Sequence, residues 1–147
     1  MTGAALRHNF VALNLASALN AAAKGTGCRT TMEGARLRIN EKRHYYPDVM
    51  ATCETLAHTH EINEPCLIAE IPSPSTTYID RGEKRFACLS MPSPRHHLII
   101  DLETNIIEHT SRPNSDTPWM LQICEPGHTI DLTCPATIRI PVDEILA

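Results

Sequence analysis

The sequence predicts an α/β or α+β chain, a sheet with helices packed on it. Three observations carry that reading. The apolar pattern runs helix, several strands, helix, several strands. Eleven prolines against six glycines favour interrupted strands and stiff turns over a helical bundle. The segment PCLIAEI is a nearly continuous apolar run, the mark of a strand covered on both faces. At 147 residues the chain fits one domain, 1–147, long enough to bury a core without disulfides or metal. Its 42% hydrophobic and 20% charged residues exclude wholesale disorder. No run of 18 apolar residues predicts a membrane-spanning helix.

Along the chain, Val11, Leu15, Ala18 and Ala22 recur at helical spacing, with Phe10 and Leu13 beside them, and Lys24, Gly25 and Gly27 supply a stop. Asn9, Asn14 and Asn20 interrupt this stretch, so an amphipathic first helix fits better than a secretory signal. CRTTM and ARLRI, joined by Glu33-Gly34, predict a hairpin with Ala35, Leu37 and Ile39 inward and Arg36 and Arg38 outward. YYPDVMATC reads as a strand opened by a proline, and residues 54–64 as a polar loop. PSPST ends the buried strand PCLIAEI. Residues 78–90 predict a helix with Ile79, Phe86 and Leu89 on one side, capped by Thr76 or Thr77 and weakened by Gly82. HHLIID and NIIEHT form a strand pair, followed by TPWMLQI, an EPGH turn, TIDLT, ATIRI and a short last helix, PVDEIL.

The net charge of −4 argues mildly against a dedicated nucleic-acid binder. Yet residues 24–43 hold six bases (Lys24, Arg29, Arg36, Arg38, Lys42, Arg43) against two acids (Glu33, Glu41). Such a patch either meets a phosphate backbone or is simply a solvated hairpin face. The six cysteines form no C-x-x-C and no zinc-type spacing. Several lie in apolar runs, which predicts buried, reduced structural thiols and a cytoplasmic location.

Two carboxylates break the local rules. Glu70 lies among Leu67, Ile68 and Ile71, where an unpaired charge costs several kcal/mol. Asp48 follows Pro47 and precedes the apolar run Val49, Met50, Ala51. Acids at the ends of adjacent strands can converge on one point. A hard cation such as Mg2+ takes carboxylate and carbonyl oxygens, and the Ile71 carbonyl can complete the set. Lys84, on the helix that follows, can reach back over the sheet, orient an attacking water and offset charge growing on phosphorus. Alternatives remain: Asp48 ends a loop, and Glu70 forms a structural bridge with Arg81, Lys84 or Arg85.

The string YYPDVMATC … PCLIAEIPSPSTTYIDRGEKRFACLSMPSPRHHLIID resembles the Uma-two family of nucleases, within the restriction-endonuclease-like superfamily whose signature is PD-(D/E)XK. The resemblance runs from about His8 to Leu146. It implies a restriction-endonuclease-like α/β fold with a central mixed sheet flanked by helices. It also implies a magnesium-dependent, DNA-cleaving site and commonly a homodimer. By position, Asp48 resembles the PD aspartate, Glu70 the second acid, and Lys84 the family's relocated lysine. The chain departs from the family in lacking an acid-rich segment before the first helix, in Pro72 where leucine is usual, and in Cys88 and His97 where aromatics are common. Together with the resemblance, these departures lead to the expectation of a shortened copy. Two readings follow: a magnesium-dependent DNA endonuclease using Asp48, Glu70 and Lys84, or a catalytically inactive remnant that binds DNA or a protein.

Other candidates are weaker. His96 and His97 are adjacent in a strand, so they point to opposite faces and do not share one ion. His58 and His60 flank Thr59 in the polar loop. His8, on the first helix, is a further candidate to face the cleft. Ser73 and Ser75 lack a G-x-S-x-G context and serve to bend the chain after Glu70. Trp119 belongs to the core or to an interface.

Overall fold

A 21-residue helix opens the chain, α1 (Gly3–Ala23), and buries Val11, Ala12, Leu15, Ala16, Leu19 and Ala23 along one stripe. Phe10 and Leu13 lie outside that stripe, each more than half exposed, contrary to expectation. The computed structural model describes residues 3–56, 60–74 and 77–147; His58, Ser75 and the proposed cap Thr76 lie outside them.

The strands are β1 (Arg29–Met32), β2 (Arg36–Arg38), β3 (His44–Tyr45), β4 (Val49–Thr52), β5 (Glu61–Ile62) and β6 (Pro65–Glu70). Two short helices follow, α2 (Thr77–Arg81) and α3 (Glu83–Leu89). Then come β7 (His96–Asp101), β8 (Ile106–Ser111), β9 (Met120–Cys124), β10 (Thr129–Leu132), β11 (Ile138–Pro141) and α4 (Val142–Leu146). The central sheet has the order β1-β4-β6-β7-β8-β9. β6 and β7 run parallel and every other neighbour pair is antiparallel, so the sheet is mixed. A two-stranded sheet, β10-β11, and a three-stranded one, β3-β2-β5, lie beside it.

Strand alternation sends different residues to the two faces of the sheet. On the first face Val49, Ala51, Leu67, Ala69, Leu98 and Ile100 join the large core with α1, α4 and the β10-β11 pair. On the second face Met50 and Ile68 join a small cluster with Leu37, Ile62, Cys88 and Met91. Asn14, whose side chain broke the apolar run in the sequence, donates to the Ile145 and Ala147 carbonyls and ties α1 to α4.

Several expectations need correction. The segments 29–32 and 36–38 do not pair as a hairpin. β1 pairs with β4, whereas β2 leaves the sheet to pair with β3 and β5. Gly34, at φ 94°, makes the turn between them. The supposed loop 54–64 contains β5. The helix 78–90 breaks at Gly82, where an added Cβ would sit 3.0 Å from the Tyr78 carbonyl oxygen. It also packs the other way round: Ile79 and Phe86 face solvent, while Asp80, Lys84, Ala87 and Cys88 are buried. The thiols are not all reduced. Cys28 is bonded to Cys53 and Cys66 to Cys134, leaving Cys88 and Cys124 free and buried. No helix among the described residues is long and apolar enough to cross a membrane.

Candidate active site

The β4–β6 ladder places the two anomalous acids side by side. Val49 is level with Ala69, so the antiparallel register carries Asp48 level with Glu70. Asp48 Oδ2 accepts the Ile71 N–H at 2.8 Å. Its other oxygen, Oδ1, lies 3.2 Å from His8 Nε2. Burial pushes the Asp48 carboxyl up, but His8 and the Ile71 N–H outweigh it, and the group ends below the usual range. His8 is raised, chiefly by its contact with Asp48 and against the effect of burial.

Glu70 is only 2% exposed, and its Oε1 meets Lys84 Nζ at 2.7 Å. Lys84 Nζ also lies 3.5 Å from Asp80 Oδ1, one helical turn back, and 5.6 Å from the centre of the Tyr45 ring. Burial lifts Glu70 to about 8 despite the pull of Lys84. Burial works the opposite way on Lys84, but the Glu70 and Asp80 carboxylates prevail and hold it cationic. The inverted packing of α3 follows from this arrangement. Glu70, buried on β6, demands a cation, and turning the apolar side inward would carry both Asp80 and Lys84 to solvent and leave Glu70 uncompensated.

The arginines that competed for Glu70 go elsewhere. Arg81 pairs with Asp101 at 3.1 Å and also with Glu108, and Arg85 pairs with Glu108 at 3.4 Å. In the basic segment, Arg36 and Arg38 engage Glu61 and Arg43 engages Glu83, so part of its charge is neutralised. Lys24, Arg29 and Lys42 are exposed. His96 and His97 point to opposite faces, as strand geometry requires. His96 Nδ1 contacts His109 Nε2 at 2.9 Å, and its Nε2 accepts the Thr133 N–H, while both ring nitrogens of buried His97 lack a hydrogen-bond partner among the described residues. Trp119 is half-buried, donates to the Leu89 carbonyl, and carries the Arg112 guanidinium over its ring.

The donor set fits a hard divalent cation. It offers two carboxylates that the strand register brings level, beside the Ile71 backbone. One buried oxygen, Glu70 Oε1, has Lys84 as its ion-pair partner and, among the described residues, no hydrogen bond of good geometry. A nearby cation also opposes the burial effect that raises the Glu70 carboxyl. Two residues that sequence reasoning did not single out stand here. Asp80 was signalled by its spacing of four from Lys84. Glu33, whose Oε1 is 3.8 Å from His8 Nδ1, was not signalled locally, because the fold alone brings the β1–β2 turn to α1.

With this geometry in hand, the comparisons with known proteins decide the family. The model of Uma2, described as "Putative restriction endonuclease", matches residues 1–143. The chain belongs to the Uma2 family. Two relatives from Synechocystis, the uncharacterized proteins slr1290 and sll1609, are 27% identical over 124 residues and 29% identical over 126. Each alignment covers 82% of this chain, but only 65% of slr1290 and 71% of sll1609. The fold is similar to that of a crystal structure from Anabaena variabilis described as "a putative nuclease belonging to DUF820". The TM-score is 0.75 at 14% identity, over 95% of this chain and 80% of the other. The Uma2 chain thus has the restriction-endonuclease-like architecture, a central mixed sheet flanked by helices.

Proposed function

We propose that this Uma2 chain is a magnesium-dependent DNA endonuclease that hydrolyses phosphodiester bonds. The observation that carries the reading is the meeting of Asp48, Glu70 and Lys84 at one end of the β4–β6 pair. Asp48, Glu70 and the Ile71 carbonyl would hold the cation, which supplies Lewis acidity and a more acidic water. The Ile71 N–H fixes one Asp48 oxygen, so the carboxylate is oriented before substrate arrives. Lys84, itself held by Glu70 and Asp80, orients the attacking water and offsets charge on the phosphorus oxygens. Exposed Lys24, Arg29 and Lys42 contact the DNA backbone. A homodimer is supported by β9, an edge strand on which Met120, Leu121 and Ile123 are at least half exposed.

The test is cleavage of plasmid and linear DNA with and without Mg2+. Asp48→Ala and Glu70→Ala should each abolish magnesium-stimulated cleavage, with folding checked by circular dichroism. Equal cleavage by wild type and both variants would overturn the assignment. Folded wild-type protein that neither cuts nor binds Mg2+ would favour the inactive remnant.

A further inference from the structure

His8, Glu33 and Asp48 come from three separate parts of the fold: the start of α1, the turn after β1 and the residue before β4. One ligand atom from each lies within 4.8 Å of the other two. An ion about 2.0–2.3 Å from each donor fits such a triangle with small side-chain movement. The three donors are distant in sequence, so no acid-rich local stretch produces the convergence; the fold alone brings them together.

The oxygens of Asp48 are divided between two tasks. Oδ2 is taken by the Ile71 N–H, while Oδ1 faces His8 at 3.2 Å. His8 and Glu33 also line an open cleft of about 750 Å³, together with Asp101 and Glu103 among others. Arg7 lines the same cleft and Arg81 pairs with Asp101, so Glu33 and Glu103 are the rim acids that a cation would balance before a phosphodiester approaches. We propose that His8, Glu33 and Asp48 form a second cation position beside the one assigned to Asp48, Glu70 and Ile71. It takes a first-row transition ion in preference to Mg2+, because imidazole is a borderline donor that Mg2+ accepts poorly. The proposal rests on the nuclease reading and gives it a two-ion site, in which the second ion faces the cleft.

The test is Mn2+ binding to the full chain, counted by electron paramagnetic resonance, with excess Mg2+ as competitor. Two ions should bind per chain, and Mg2+ should displace only one. His8→Ala and Glu33→Gln, both at partly or fully exposed positions, should weaken the Mg2+-resistant ion by about tenfold or more. Glu70→Gln should spare that ion. Two ions that Mg2+ displaces equally overturn the preference for a transition ion. A single ion that Glu70→Gln removes, and that His8→Ala and Glu33→Gln leave unchanged, overturns the second position and keeps the nuclease site. A single ion lost with His8→Ala but retained in Glu70→Gln supports the second position and overturns the Asp48–Glu70 site. No bound ion overturns both.

Discussion

The two faces of the central sheet are built on opposite principles. The α1 face is a broad apolar core in which Leu15, Leu67, Leu98 and Ile100 are fully buried. The α3 face has a small apolar cluster and, next to it, three buried charged groups, Glu70, Asp80 and Lys84. The first face supplies stability through burial. The second gives up part of that stability to keep charges dry and in fixed positions, where they act more strongly than in water.

The largest effect should come from the charged face. Lys84→Met leaves Glu70 and Asp80 without a counter-charge and should destabilise by about 3–5 kcal/mol, read from urea unfolding. Glu70→Gln should cost less, because Lys84 keeps Asp80. Equal costs would mean that the three groups do not act as one cluster. On the apolar face, Leu67→Ala should cost about 2–5 kcal/mol through the cavity it leaves, and should not change ion binding by the folded fraction.

A smaller effect separates the faces by pH. Burial lowers His96 and His109 to about 4 on the α1 face and His97 to about 3 on the α3 face. Unfolded, these three histidines bind more protons below about pH 6.5, so their share of the stability is full above that pH and falls as the solution is acidified toward 4. Each histidine contributes up to about 1.4 kcal/mol per pH unit in that window. His97→Leu should shrink the loss between pH 7 and 5 and leave the share of His96 and His109. An unchanged pH slope would contradict the buried, neutral state of His97.

Much of this was legible in the sequence. The strands YYPDVMATC and PCLIAEI, the pair HHLIID and NIIEHT, and the first helix all carry strong local patterns. Asp48 and Glu70 stood out because charges beside apolar runs require an explanation; Lys84, unremarkable by itself, gained weight only beside them. What was not legible depended on distant partners. The helix after Glu70 turned its polar side inward because the buried acid on β6 needed Lys84, a demand that periodicity within the helix does not express. The segment 29–38 split between two sheets because β4 and β5 compete for its halves. Glu33 reached the cleft only through that split.

The most direct test of the central claim is calorimetric titration of Mg2+ into wild type, Asp48→Asn and Glu70→Gln, each confirmed folded by circular dichroism. A shared cation site predicts one magnesium-binding event in wild type that weakens by about tenfold or more in both variants. Unchanged affinity in either variant would contradict it.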